Sequence, residues 1–389
     1  MRVLFLSTIY PNPAEPDKGA FNRNLVHGLA RGHEVVVLAP VPWTADPPWR
    51  RTRTGGTIPA CRQRDENGVV IHHPRFYYPP RALLSRRHLF YWWSVREQIG
   101  GLIRDFRPDV VLGYWVHPDG AVAVRAARLA GARAGVIVGG SDVLLLPHSA
   151  RRRRHVMRVL DSADVVACVS EHLRRRVVGL GAPHHRAHVW RQGVDTTLFR
   201  PADRAEARHR LGVSETSPVL LWVGRMVPVK GLDVLLEACR RLRNRGVAFD
   251  LILAGDGPLR PSLEGTVRAG GMAGCVRFVG ACAQDRLPDL YRAADVTVLP
   301  SHSEGLPNVL RESVCCGTPF VASDVGGVSE IAERPPDRLV PPGDPERLAA
   351  ALIDSLGDRG SRPPRTARAR SWDESADHLI ELLRAGTSQ

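Results

Sequence analysis

Residues 295–330 read DVTVLPSHSEGLPNVLRESVCCGTPFVASDVGGVSE. The apolar run Val296 to Leu299 predicts a buried strand, Pro300 to Gly305 the loop leaving it, and Pro307 suits the first turn of a following helix. A second strand is expected at Phe320 to Ala322. This strand–loop–helix–strand order is that of a parallel α/β sheet. Glu304 then sits at a loop tip and Glu312, eight residues on, along the helix. Free N–H groups at a helix start suit phosphate. Ionised carboxylates suit sugar hydroxyls, because each accepts two hydrogen bonds from a vicinal diol. Phosphate and polyol together suggest a nucleotide sugar. Taken alone, two solvated helix-surface glutamates are the plainer reading of such a pair.

Upstream, Val219 to Leu232 reads VLLWVGRMVPVKGL, an apolar strand before Gly224-Arg225 and then Lys230-Gly231 opening another helix. A glycine turn with two cations beside a helix start is an anion site, and diphosphate is the ligand it suits. Arginine chelates phosphate oxygens bidentately and lysine acts as a point charge. Of 54 basic residues only Lys18 and Lys230 are lysines, so a lysine in this glycine-flanked loop points to a need for an ammonium.

Strand and helix patterns alternate along the whole chain, which predicts parallel sheets covered on both faces. N-terminal strands are expected at Val3–Leu6, Glu34–Ala39, Val69–His72, Val110–Tyr114, Ala134–Val138 and Val165–Cys168. A second set is expected at Val219–Val223, Leu251–Ala254, Val276–Val279, Val296–Leu299 and Phe320–Ala322. The segment Pro40 to Gly68, rich in Pro and Arg, reads as a mobile loop beside an acceptor site. Ligands of open parallel sheets bind beyond the carboxyl ends of the strands, where all these motifs fall. Gly140-Ser141-Asp142 follows one strand, and Asp142 either binds acceptor hydroxyls or caps the next helix. No G-x-G-x-x-G occurs, so a nicotinamide dehydrogenase has little support.

The 389 residues suit two domains, and 43% hydrophobic with 24% charged residues is ordinary for a globular protein. No apolar run approaches the ~20 residues of a membrane-spanning helix and no signal-peptide pattern opens the chain, so a cytoplasmic location is expected. Seven cysteines show no zinc spacing and read as small buried residues. A net charge of +14 reflects the arginine bias or attraction to anionic partners. Two stretches bear on this. Arg151 to His155 opens a helix, and Arg81 to Arg104 combines basic residues with Leu89, Phe90, Trp92 and Trp93; both suit contact with an anionic membrane, or else a solvated basic face over inward aromatics. No nucleic-acid-binding signature accompanies the charge.

These motifs together resemble the GT4-type retaining glycosyltransferases (glycosyl transferases group 1) of the GT-B fold. The resemblance runs through Asp17-Lys18-Gly19-Ala20, Gly32-His33-Glu34-Val35, Gln192-Gly193-Val194-Asp195 with Phe199 and Pro201, Gly224-Arg225 and Lys230-Gly231. It continues through Gly255-Asp256-Gly257-Pro258, Val276 to Gly280, Glu304 to Glu312, Gly317-Thr318-Pro319 and Gly326-Gly327. One departure is Gly19-Ala20, where many relatives have two glycines. The resemblance implies two Rossmann-like doubly wound domains facing across a cleft, residues 1–198 on the acceptor side and 199–371 binding the nucleotide sugar, with helix 372–389 packing back on the first.

It further implies Arg225 and Lys230 on the diphosphate, Glu312 on the ribose and Glu304 on the donor sugar, with Gly224, Gly305, Leu306 and Asn308 completing the donor site. Gly19 would approach the diphosphate from the other domain, and His117 would touch the reacting sugar. The activity implied is metal-independent retaining transfer from a UDP- or GDP-sugar to a glycan or lipid-linked acceptor, in cell-surface polysaccharide or glycolipid synthesis. No metal or cofactor beyond the nucleotide sugar is expected. A nucleotide-sugar 2-epimerase of the same fold is the alternative enzyme, and a non-catalytic basic binding protein the alternative class.

Overall fold

The computed structural model describes residues 1–12, 15–16, 18–43, 62–64, 67–79, 83–332, 335–358 and 369–385. Most of the segment from Pro40 to Gly68 lies outside them, as do Asp17, Cys61 and Arg81. The chain divides into two compact units, Met1–Gly193 with Arg370–Gln389, and Val194–Ala369. These bounds fall a few residues before the expected 198/199 and 371/372. Val194 and Phe199 are both buried in the second unit's core, which draws the first boundary back.

The first unit holds β1 (Arg2–Leu6), β2 (Glu34–Leu38), β3 (Val41–Pro42), β4 (Arg62–Arg64), β5 (Val70–His72), β6 (Arg75–Phe76), β7 (Val110–Tyr114), β8 (Arg133–Val138), β9 (Val165–Cys168) and β10 (Ala187–Val189). Eight strands form one sheet in the order β10-β9-β8-β7-β1-β2-β5-β4, and β3 pairs with β6 apart from it. The eight-stranded sheet is parallel except for β4, which runs antiparallel on β5. Its central strands read as unbroken apolar runs because helices cover both faces: Val110, Val111 and Leu112 are fully buried. The covering helices are α1 (Ala20–Ala30), α2 (Arg87–Phe106), α3 (Ala121–Ala130), α4 (Ser141–Leu144), α5 (Ala150–Ser162) and α6 (Glu171–Gly179).

The second unit contains α7 (Arg204–Leu211), β11 (Val219–Val223), α8 (Leu232–Asn244), β12 (Asp250–Ala254), α9 (Arg260–Ala269), β13 (Val276–Gly280) and α10 (Leu287–Ala293). It continues with β14 (Val296–Leu299), α11 (Asn308–Cys315), β15 (Phe320–Ser323), β16 (Arg338–Val340) and α12 (Pro345–Gly357). Its parallel sheet runs β13-β12-β11-β14-β15-β16, a doubly wound order that reverses between β11 and β14. In the first unit the reversal lies between β1 and β7. Such switch points open a crevice at the strands' carboxyl ends. A buried ion pair anchors β14: the Arg208 guanidinium donates to Asp295 Oδ2 at 2.8 Å, and the Val219 N–H donates to the same oxygen at 2.7 Å. That contact fixes the start of β11 against the start of β14.

Helix α13 (Trp372–Ala385) belongs to the first unit. It packs on α1 so closely that a Cβ on Gly28 would stand 2.9 Å from the Trp372 carbonyl oxygen. Trp190 Nε1 donates to the Ser375 carbonyl at 2.8 Å, tying the helix to the end of β10.

Candidate active site

In the second unit, the exits of β11, β14 and β15 meet. β11 ends at Gly224, whose φ of 157° leaves Arg225 exposed at the crevice. The chain then makes one tight turn over Pro228–Lys230 before α8. Helix α8 starts at Leu232 with Gly231 as its cap, so Lys230 stands in the glycine-flanked turn just before the helix. Gly231 has a left-handed φ of 62°, and a Cβ there would land on the Pro300 carbonyl oxygen at the exit of β14. Only glycine meets both conditions. The His302 N–H donates to the Val229 carbonyl at 2.8 Å, which sews the two exits together.

That stitching sets the central contact. Lys230 Nζ donates to Glu304 Oε1 at 2.6 Å, with Lys230 three-quarters buried and Glu304 9% exposed. A buried carboxylate holding an ammonium is a strong charge-assisted hydrogen bond. The Glu304 backbone is in turn pressed on Gly326, where a Cβ would strike the Glu304 carbonyl oxygen, and the Gly327 N–H donates to Gly305 O at 2.9 Å. Gly326 therefore lets that exit close on the Glu304 loop.

Helix α11 begins at Asn308, with Pro307 flanking it in extended backbone rather than inside its first turn. Gly305 is buried, Leu306 and Asn308 are half-buried beside it, and Asn308 Oδ1 accepts from Arg311. Glu312 lies one turn further, and its Oε2 accepts from Tyr291 Oη at 2.8 Å. Burial raises the Glu312 carboxyl above its ordinary value, partly offset by the Tyr291 hydrogen bond and the Arg311 charge. No local motif marked Tyr291, nor Ser301, whose fully buried hydroxyl at the β14 exit has no hydrogen-bond partner among the described residues.

In the first unit the exits of β1, β7 and β8 form a second constellation. Gly19, φ 69°, precedes α1, and a Cβ there would sit 2.6 Å from Ile9 O. Close approach of two loops thus explains the glycine. Beyond β7, His117 is 5% exposed, and its Nε2 lies 3.0 Å from His88 Nδ1 at the start of α2. His155 on α5 completes a trio, its ring centroid 4.5 Å from that of His88. Burial, then His88, His155, Arg152 and Arg87, push the His117 imidazole down to about 3. Burial and His155 likewise bring His88 to about 4. Both rings are neutral at physiological pH.

Asp142 is 1% exposed and its carboxylate accepts from the Val116 N–H at 3.1 Å and the Gly140 N–H at 2.8 Å. Both oxygens hold the backbone behind His117, which makes Asp142 a positioning group at the β8 exit. Asp119 plays a similar part: it is fully buried and accepts from the Thr8 N–H at 2.6 Å and Thr8 Oγ1 at 3.0 Å, clasping the β1 exit to the β7 exit. Burial raises its carboxyl to about 7. Among the described residues no group of three His, Cys, Asp or Glu side chains could hold a metal ion.

Two doubly wound units with cations, carboxylates and glycines at their strand exits define the class of nucleotide-sugar-dependent glycosyltransferases. Residues 20–198 match glycosyltransferase family 4 and residues 217–358 match glycosyl transferases group 1. A D-inositol 3-phosphate glycosyltransferase of Rhodococcus jostii is 33% identical, over 81% of this chain and 68% of that protein. A putative teichuronic acid biosynthesis glycosyltransferase of Bacillus subtilis is 27% identical over 99% of this chain and 94% of that one. The sucrose-phosphate synthase of Thermosynechococcus elongatus superposes with a TM-score of 0.83 at 21% identity, covering 99% and 98% of the two chains. The Anabaena protein HepE, solved with UDP and glucose, gives 0.74 at 18% identity over 98% and 99%. The chain belongs to glycosyltransferase family 4 and has the GT-B fold; it is an enzyme that transfers a sugar from a nucleotide sugar.

Proposed function

We propose that the chain is a retaining, metal-independent transferase that moves a hexose from a UDP- or GDP-sugar to a glycan or lipid-linked acceptor of the cell surface. The observation that carries the reading is the Lys230–Glu304 contact, a pre-formed ammonium and carboxylate at the exits flanking the switch point. Uridine diphosphate is the first candidate donor nucleotide, on the likeness to HepE.

In this reading the bond between the anomeric carbon and the β-phosphate oxygen breaks, and the acceptor oxygen bonds to the same face of that carbon. The acceptor proton passes to the departing phosphate oxygen, so no protein nucleophile is required. Arg225 and Lys230 meet the charge that grows on the diphosphate. Glu304 orients Lys230 and accepts from donor-sugar hydroxyls, with Gly305, Leu306 and Asn308 lining the same loop. Glu312 takes the ribose diol through the oxygen that Tyr291 leaves open. His117, neutral, offers a hydrogen bond to the reacting sugar and cannot act as a strong acid.

The test is a product assay with a panel of UDP- and GDP-sugars, read with and without chelator. Transfer with retained anomeric configuration in chelator supports the reading. Donor isomerisation with no acceptor present would give the 2-epimerase instead, and activity that only divalent metal restores would remove the metal-independent part.

A further inference from the structure

Five of the nine large hydrophobic side chains that stand exposed among the described residues belong to α2 and the segment just before it: Tyr77, Leu83, Leu84, Leu89 and Trp93. Trp93 is 64% and Tyr77 60% exposed, and the Tyr77 N–H donates to Ser94 Oγ at 3.0 Å, which brings the two rings' elements side by side. Arg86, just before α2, and Leu89, Trp93 and Arg96 on it recur at helical spacing and form one exposed stripe. Arg96 stacks on the Trp93 ring, 4.1 Å from guanidinium carbon to centroid. Helix α5 adds exposed Arg151, Arg153, Arg154, Met157 and Arg158. The two helices are joined through the His88 and His155 rings, and Arg86, Arg154 and Arg158 all act on His155. No Asp or Glu occurs from Tyr77 to Arg96 or from Val143 to Leu160; Glu97 and Asp161 mark the edges.

Neither half of this pattern fits a solvated basic face. A merely soluble surface has no use for Trp93 and Leu89 in water, and aromatics that packed inward would leave the stripe polar. Instead Tyr91, Trp92 and Val95 fill the inward side of α2, and the outward side still carries Leu89 and Trp93 between its arginines. A nucleic-acid face has the cations without the aliphatic side chains. Apolar side chains ringed by arginines fit the boundary between headgroups and acyl chains, where each half strengthens the other. Among the described residues no helix is long and apolar enough to cross a membrane, so contact of this kind is made at the surface.

We propose that the face built by the first turns of α2, Tyr77 and the exposed side of α5 docks on a bilayer rich in anionic lipid. It deepens the reading of a lipid-linked acceptor and rests on it for its purpose. The same α2 turn carries His88, in contact with His117, the first-unit residue that the proposed function assigns to the reacting sugar.

Flotation of the full chain with vesicles tests it. Vesicles of phosphatidylcholine mixed with phosphatidylglycerol should carry the protein up, phosphatidylcholine alone should not, and salt should weaken the binding. Each arginine near such a surface contributes about fivefold, so Arg153→Glu with Arg154→Glu should lower affinity by roughly 25-fold or more. Leu89→Ala with Trp93→Ala should lower it as well, with the thermal unfolding midpoint of both variants as the folding control. Failure of the wild type to float overturns the proposal. So does loss on the arginine changes alone while heparin binds the Leu89/Trp93 variant as it binds the wild type, which would mark a general polyanion surface. Turnover of a water-soluble acceptor without lipid should be unchanged in both variants. Intact flotation with no transfer to any acceptor would strike the proposed activity and leave the docking face standing.

Discussion

Lys230 and Glu304 are 74 residues apart in sequence and share a 2.6 Å hydrogen bond, held by a glycine turn on one side and a glycine pair on the other. If that ammonium meets the departing diphosphate, Lys230→Ala should reduce turnover by about 10²- to 10³-fold, the loss of one preorganised stabiliser. Lys230→Arg should also be impaired, because a planar fork does not replace a compact ammonium in a turn closed on Pro300. The pair should couple, so Glu304→Ala added to Lys230→Ala should cost less than the two single changes together. Steady-state kinetics of the four variants check this; additive losses would separate the two roles.

His117→Ala should lower transfer by roughly 10²-fold while nucleotide affinity stays put, since the residue lies in the first unit at the β7 exit. Its partner adds a distinguishing measurement. His88→Ala removes the 3.0 Å contact that fixes the His117 ring, so it should reduce kcat by a smaller factor, and His88→Asn, which keeps a hydrogen-bonding group, should restore part of it. With the two imidazoles pushed down to about 3 and 4, the activity profile should show no histidine titration between pH 5 and 8 from this pair. A wild-type limb in that range that vanishes in His117→Ala would contradict the neutral assignment.

Asp119 gives a stability prediction whose sign is set by its raised carboxyl. Folded Asp119 titrates near 7 against 3.8 for the ordinary group, so between those values the folded state binds the extra proton. Its contribution is therefore full below about pH 4 and is lost as pH rises through 7. Asp119→Asn keeps an acceptor for the Thr8 N–H and carries no charge to bury. The variant's thermal midpoint should exceed the wild type's at pH 8, and the gap should narrow at pH 5. A constant gap across that range would mean the carboxylate is not the cause.

The strands β7, β9, β11 and β14 lie where their apolar runs predict them, because both faces of each are buried. Edge strands were not legible in the same way. Ala187–Val189 and Arg338–Val340 are three residues each, with polar side chains among them, too short for any periodicity to register. Helix α12 also went unread. Site residues within one motif were legible because glycine turns and helix starts are local. Partners across the fold were not: Thr8 finds Asp119 from 111 residues away and His88 finds His117 from 29, and only the strand order sets those meetings. Asp142 is a further case: its place after a strand was legible, but the Val116 N–H it accepts from lies 26 residues away on another strand exit.

Glu312 offers the most direct test of where the nucleotide lies, because its carboxylate has one oxygen engaged by Tyr291 and one left to reach a diol. Glu312→Ala should weaken UDP binding by about 1.5–3 kcal/mol, the worth of a hydrogen bond to a charged group, read by calorimetry. A loss of that size could also come from disturbing α11, so the ligand must be varied as well. UDP lacking ribose hydroxyls should bind the wild type more weakly than UDP does, and the two should bind Glu312→Ala alike if the carboxylate is what the diol meets. Tyr291→Phe should fall between, since it removes the group that orients the carboxylate and leaves the carboxylate itself. Should the deoxy ligand lose the same affinity in wild type and Glu312→Ala, the ribose is held elsewhere, and Glu312 serves only to tie α11 to Tyr291 on α10.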